Sequence, residues 1–451
     1  MTDPERLQLT SEELKERPDL VAVDGLLYDL EGFAKVHPGG QAILSAGAYD
    51  ATALFFSMHP GRDPLKSELF QTFCVGTHRR TEMDPKYNFH SPFALDLQST
   101  VRKAMGKVSW YAPMGFWVRT FLICTATLFL EYRWVTTGTI LAGICVGCLH
   151  AQIGLSVQHD ASHGALSSNP SINAFFAYGA DWIGNSRWIW LQQHILWHHP
   201  HTNHQDFDPD ASSAEPLLVF NDYSKGGSGK KPVKPLVSWQ DYITYAVLSM
   251  YGPGVVYNPG GIVTMRHNEH IPESVSKSVF YSKQKPLAYF FRLFYFVRIV
   301  LAPWYFSGTP LYISFFLVNI VTGILLTMVF VVSHNFEGSD RDPLKLAEKE
   351  KKRSKEEEGP ICWYKMQAET SCTYGGTIGM LATGGLNLQI EHHLFPRLSS
   401  WYYPHIQESI RKCCERHSVK YTYYPTLIQN TISMLKYMRE VGVAAVLAHA
   451  E

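Results

Sequence analysis

The chain has 451 residues, too many for one ordinary domain, and its 40 Lys and Arg balance its 40 Asp and Glu. A formal net charge of zero leaves no electrostatic footprint for nucleic acid. Apolar residues make up 46% and aromatics 13%, yet mean hydropathy is slightly negative, the average expected when polar soluble parts are joined to apolar membrane parts.

Residues 1–19 are polar and acidic and carry no signal-peptide core. Residues 7–80 predict a small α+β domain. Thr10-Ser-Glu-Glu is an N-cap pattern opening a short helix, and Val21 to Leu30 alternates around Asp24-Gly25 as a hairpin does. Next comes His37-Pro-Gly-Gly, a histidine on a tight turn whose glycines allow close backbone approach to something flat. Asp50 to His59 reads as an amphipathic helix ending in a second histidine. The combination resembles cytochrome b5. The resemblance implies a b-type haem with His37 and His59 as its two axial ligands, and hence electron transfer rather than oxygen binding.

Residues 81–112 are polar, contain Pro85 and Pro92, and predict a linker. The remainder, 113–440, predicts an all-α integral membrane domain. Four apolar stretches, Met114–Tyr132, Thr137–Val157, Leu287–Phe306 and Leu311–Val332, are each long enough to cross ~30 Å of hydrocarbon. They pair into two hairpins that return the chain to its starting side. Arg119, Arg292 and Arg298 interrupt them; a soluble helical core is the alternative, but such arginines can also snorkel or line a cavity. Cys145 and Cys148 lie within an apolar run and read as core thiols, and the eight cysteines include no Cys-x-x-Cys closed by a second pair. Their usage fits reduced, cytosol-facing segments. Phe175 to Gly184 is apolar but short for a span. Trp182, Trp188, Trp190 and Trp197 read first as interfacial belt aromatics and second as channel walls. Ser224 to Pro235 predicts a flexible basic loop, Trp239–Tyr251 an interfacial helix, and 345–358 a solvated mixed-charge segment.

Histidines cluster at the ends of these stretches: His159-Asp-Ala-Ser-His163, His194-Ile-Leu-Trp-His198-His199 and Gln389-Ile-Glu-His392-His393, with His334 after the last span. On a helix, positions i and i+4 share a face, so each cluster aims its nitrogens at one point. Two hairpins would bring all of them to the side of the haem domain. Neutral imidazoles bind transition metals, and eight with one amide exceed what a single ion uses, so the expectation is two metal ions.

Taken with Val157-Gln-His-Asp-Ala-Ser-His-Gly and Gly384-Gly-Leu-Asn-Leu-Gln-Ile-Glu-His-His-Leu-Phe-Pro-Arg, these clusters resemble the histidine boxes of membrane fatty-acid desaturases. The Gln389-Ile-Glu-His-His form and the fused haem domain resemble the front-end class. Other stretches, such as Glu369-Thr-Ser-Cys-Thr-Tyr-Gly-Gly, are similar to microalgal Δ5 enzymes. The resemblance implies a cytosolic cap holding two irons on His159, His163, His194, His198, His199, His334, Gln389, His392 and His393. It leaves out His201 and His204, which follow the helix-ending Pro200, and His150 reads as a satisfied interior histidine. Asp160, Glu391 and Asn335 are candidate supports for the ligands. The implied reaction is dioxygen-dependent removal of two hydrogens from a polyunsaturated acyl-lipid or acyl-CoA chain, on the carboxyl side of an existing double bond. Electrons would come from NADH-cytochrome b5 reductase through the haem domain, at the endoplasmic reticulum membrane with haem and histidines facing the cytosol. Δ5 on C20 chains leads; Δ4 on C22, Δ6, Δ8, and a sphingoid-base desaturase or hydroxylase are alternatives, because the His-x-x-x-His-His middle box also occurs in Δ4 and Δ6 relatives. A haem electron carrier with a structural membrane anchor is the non-enzymatic alternative.

Overall fold

A computed structural model describes residues 7–60, 66–80, 86–204, 207–211, 214–220, 235–256, 272–339 and 360–448. The mixed-charge run at 345–358 and all but the last residue of the 224–235 loop lie outside the described residues. The N-terminal sheet has the order β1 (Leu7–Thr10), β4 (Cys74–Arg79), β3 (Leu26–Asp29), β2 (Leu20–Val23), with β1 and β4 parallel and the other pairs antiparallel. Asp24 and Gly25 both take positive φ, as a two-residue hairpin turn requires. Thr10 and Glu13 form a reciprocal capping box. One helix, Thr52–Met58, presents His59 at its end, while His37 follows Leu30–Ala34.

The expected linker is structured from residue 87 onward. Tyr87–Asn88 (β5) pairs in parallel with Ile361–Cys362 (β6). Pro92–Met105 is a helix capped by Ser91, and it buries Phe93, Leu97, Val101 and Met105 against Trp363, Ile390, Leu394 and Ile410. Its i, i+4 apolar stripe is diluted by a polar outer face, which is why composition alone suggested a linker.

Four helices are long and apolar enough to cross a membrane: Met114–Thr137, Ile140–Ser162, Val279–Ser307 and Leu311–His334. Gly138 sits directly against Ser307 and Thr309, so the turns after the first and third helices meet at the end opposite the histidines. Gly143 and Gly147 of the second helix let Leu317 and Val321 of the fourth approach closely, the small-residue packing that association in lipid relies on.

The segment expected as an interfacial helix, Trp239–Tyr251, packs against the fourth apolar helix. Trp239 and Tyr242, near its start, are exposed. It runs through Gln240–Ser249 and Tyr251–Val256 until Gly252 lies against Asn319 and Gly323, midway along the fourth helix. Arg292 of the third helix donates to Val255 O at 2.7 Å and to Val256 O. The other two arginines are also paired. Arg119 donates to Gln152 Oε1 (2.8 Å), and Arg298 meets Glu131 (3.3 Å) and stacks over Trp182. His150 completes that group at 2.7 Å from Glu131, an interior histidine with a partner.

Candidate di-metal and haem sites

Two of the histidine motifs ride on widened helix. Residues 153–158, leading to His159, and 191–198, carrying His194 and His198, are π-helical, and His199 N bonds His194 O at 3.1 Å across five residues. In an α-helix His199 would point away from the face shared by His194 and His198. In the wider turn, positions i+4 and i+5 straddle the direction of i, so all three imidazoles face inward. The third motif opens the helix Gln389–Leu394 behind Gly384 and Gly385, both at positive φ. A side chain at Gly384 would strike Leu155 and Ser156, so glycine lets this motif press against the second apolar helix. His334 is the last residue of the fourth.

The structure brings all nine sequence-predicted residues together. Ligand-capable nitrogens of His159, His163, His194 and His392 lie within 4.8 Å of one another, as do those of His198, His334 and His393. His199 joins the groups, with ring centroids 4.6 Å from His392 and 4.4 Å from His393. Gln389 belongs to the second group, its amide 3.1 Å from His334 Nε2 and 3.3 Å from His393 Nε2. His201 stands apart, bonded to Tyr87 at 3.1 Å, and His204 packs on Phe207.

Polar neighbours fix which nitrogen faces in. His198 Nδ1 donates to Asp208 (3.0 Å), His334 Nδ1 to Thr370 O (3.1 Å) and His393 Nδ1 to Gln367 Oε1 (2.8 Å). Each acceptor selects the Nδ1–H tautomer and leaves the Nε2 lone pair turned to the cluster. His392 Nδ1 meets Tyr403 Oη at 3.0 Å. None of these four partners was foreseen. Asp208 carried one sequence signal, an acidic Asp-Pro-Asp run ten residues after His198. Of the supports proposed from sequence, Asp160 accepts from Ser400 N (2.9 Å) and tethers that loop. Glu391 accepts from Thr373 (3.0 Å) and Tyr421 (2.5 Å), not from an imidazole, and burial pushes its carboxyl up to about 7. Asn335 bonds its own helix.

Burial, with the neighbouring imidazoles, holds His163, His194, His199, His392 and His393 well below the ordinary histidine value, so they are neutral and able to donate lone pairs. Both nitrogens of His163, His392 Nε2, His199 Nδ1 and Gln389 Oε1 are buried without a hydrogen-bond partner. Each such group costs about 1–3 kcal/mol unless something fills the space, and a nitrogen-rich pair of cation sites does so. Turning the Gln389 amide over would place Oε1 among the ring nitrogens, the orientation a cation selects.

A cavity of about 310 Å³ opens at His198 and His334 and runs inward past Trp190 and Phe330 to Leu326, Ile183 and Gly154. Trp190 stacks on His194 with centroids 4.3 Å apart. Trp188, Trp190 and Trp197 are buried, so these are not belt aromatics. In the N-terminal domain, His37 and His59 face each other with ring centroids 6.3 Å apart, the spacing of two imidazoles across one metal with bonds of about 2 Å. Phe33 and Phe55 pack on them, and a Cβ at Gly39 would stand 2.7 Å from His37 Cε1. The pocket fits a flat haem.

Residues 132–425 match the fatty acid desaturase family, and residues 6–79 match the cytochrome b5-like haem/steroid binding domain. The chain belongs to the fatty acid desaturase family. This desaturase is 32% identical to an acyl-lipid (7-3)-desaturase of Rebecca salina, over 96% of the chain and 93% of that protein. It is 26% identical to the probable Delta(5) fatty acid desaturase C of Dictyostelium discoideum (94% and 91%) and 26% identical to an acyl-lipid (8-3)-desaturase of Mortierella alpina (94% and 94%). The desaturase is thus an oxidoreductase of a di-iron family with a haem domain fused to it.

Proposed function

We propose that the desaturase is a front-end enzyme, inserting a double bond between an existing one and the carboxyl end of a polyunsaturated acyl-lipid, with Δ5 on C20 chains as the leading position. The observation that carries this reading is the convergence of eight imidazoles and one amide, in two groups, beside a mostly apolar cavity that His198 and His334 line. In it, His159, His163, His194, His199 and His392 would hold one iron, and His198, His334, Gln389 and His393 the other. The haem domain is residues 7–80, and the desaturase domain, 113–440, also takes in 87–105.

When bound, two irons with dioxygen as co-substrate supply an oxidant able to attack an unactivated methylene. The protein's own residues do the rest. Asp208, Thr370 and Gln367 hold three imidazoles with Nε2 aimed inward, so the site would bind its ions with little reorganisation. Trp190, Phe330 and Leu326 exclude water from the cavity and hold the chain beside His198 and His334. His37 and His59 would hold a haem between them, leaving it no open site and so suiting it to electron transfer. Desaturation draws two electrons from a donor and one haem carries one, so a haem held here would supply them singly, with NADH-cytochrome b5 reductase as the proposed donor. Fusion keeps the carrier at high effective concentration. The reading places the histidines and haem on the cytosolic side of the endoplasmic reticulum.

Yeast expressing the protein and fed C18, C20 or C22 polyunsaturated acids provides the test, read by fatty-acid profiling. A new double bond at Δ5 of a C20 acid supports the leading position, and one at Δ4 of a C22 acid replaces it. A hydroxylated product, or no product with the protein present, sinks the front-end reading.

A further inference from the structure

One stretch outside the four long helices combines exposed apolar side chains with a complete lack of ionisable residues. Residues 375–386 read Gly-Gly-Thr-Ile-Gly-Met-Leu-Ala-Thr-Gly-Gly-Leu. The chain leaves the histidine-bearing cap after Tyr374 and returns at Asn387, just ahead of Gln389. The base of this excursion is closed. Tyr374 N donates to Asn387 O at 2.9 Å, and Asn387 Nδ2 donates to Gly376 O at 3.2 Å. Between them runs the helix Gly376–Thr383, whose outer face carries Ile378, 83% exposed, and Leu381, 56% exposed.

This helix is tied to the first two apolar helices through its own carbonyls. Arg119 Nη2 donates to Leu381 O at 3.1 Å, and Gln152 Nε2 donates to Ala382 O. The other two carbonyls of the last turn are also taken, Met380 O by Gly384 N and Gly385 N, and Thr383 O by Leu386 N. A helix end in water leaves such carbonyls to solvent, whereas one in hydrocarbon must satisfy each of them from the protein. Arg119 lies about 8 Å in from Met114, where the first long helix begins on the histidine side. Val118 and Leu122, which flank Arg119, are exposed and apolar as well, so the outer surface of that helix continues onto Leu381.

We propose that residues 376–383 sit in the hydrocarbon of the leaflet nearest the histidines, with lipid acyl chains as the partner of Ile378 and Leu381. The excursion thereby moors the third histidine motif to the membrane. Such a face binds through the apolar area it buries, and a run with no charge carries none of the cost that lipid imposes on ions. This placement rests on the reading of the four long helices as spans, not on the position of the double bond.

The test uses the full-length chain in nanodiscs of dimyristoyl phosphatidylcholine, whose saturated chains are not the proposed substrate. The photocrosslinker p-benzoylphenylalanine replaces Ile378, and adducts are read by mass after illumination. A phosphatidylcholine adduct is expected, as with the same replacement at Leu122. Lipid adducts at Leu122 with none at Ile378, or a cross-link from Ile378 to a second copy of the chain, overturn the proposal. No lipid adduct at either position sinks the spanning reading and this placement with it. A second arm reads hydrogen exchange of 376–386 in the same nanodiscs. In I378D exchange rises roughly tenfold, less than a charge at the centre of a span would cause, while I378L exchanges as wild type does. Exchange in I378D equal to wild type overturns the proposal, and the crosslinking arm decides it if I378D does not fold.

Discussion

The protein has two histidine sites built on different plans. His37 and His59 face each other at 6.3 Å with phenylalanine rings packed beside them. Each membrane-domain imidazole has its nearest neighbour at a centroid distance of 4.4–4.8 Å, and several are tied at Nδ1 to a carboxylate, a carbonyl or an amide. The first is a slot, whose width suits a flat group and whose walls are apolar because that group is. The second is a cage, whose spacing suits small ions and whose outer tethers fix tautomer and ring orientation. A slot tolerates ordinary helix and turn. A cage needs more donors on one side than an α-helix offers, and the π-turn at 191–198 supplies them.

The largest effects come from removing one imidazole from each. His194→Ala is expected to abolish desaturation and reduce non-haem iron, while the haem spectrum stays intact. His37→Ala should remove the low-spin haem spectrum and, with it, electron supply, leaving non-haem iron unchanged. Iron analysis and absorption spectra on the same preparations read both. If either variant empties both sites, the sites are not separate structures and the contrast fails.

That contrast was partly legible in sequence. The His-Pro-Gly-Gly turn, the second histidine after an amphipathic helix, and three clusters at helical spacing are local patterns, and local patterns survive in one dimension. His334 had no spacing of its own and was placed through its position after the last span and the family resemblance. The other tethers were not legible: Gln367 and Thr370 reach His393 and His334 across 26 and 36 residues, and Tyr403, on the next long helix, carries no motif. Nor was the partner of Arg292, which reads as an interruption of an apolar run until it is seen to donate to Val255 O and Val256 O.

Acid should separate the two plans next. Five cage histidines outside the spans are held below 6.5 by burial, so as pH falls through about 6.5 the unfolded chain takes up protons that the folded metal-free cage refuses. The unfolded state then binds more protons, and stability falls with pH; above that value the penalty is absent. In the slot, His37 is shifted in the same direction, but it is one lowered group against five. Thermal unfolding of iron-depleted protein at about pH 7.5 and about pH 5.5 checks this. The metal-free form is expected to lose stability in acid, and the iron-replete form to lose less until the iron is released. A metal-free form equally stable at both values would mean that the cage is hydrated or already protonated.

The finest distinction is among the tethers themselves. Asp208 holds His198 with both oxygens within 3.1 Å, so Asp208→Asn keeps the shape but can present an amide N–H to Nδ1 and favour the wrong tautomer. Loss of roughly 10–100-fold in metal affinity or activity is expected, as for other supports of metal-bound histidines. Tyr403 differs because its hydroxyl either donates to or accepts from His392 Nδ1, so it selects orientation more than tautomer. Tyr403→Phe should cost about 1 kcal/mol, roughly fivefold. Metal titration of the two variants side by side ranks them. Equal losses would mean that the acceptor's charge contributes nothing and that the cage is held by packing alone.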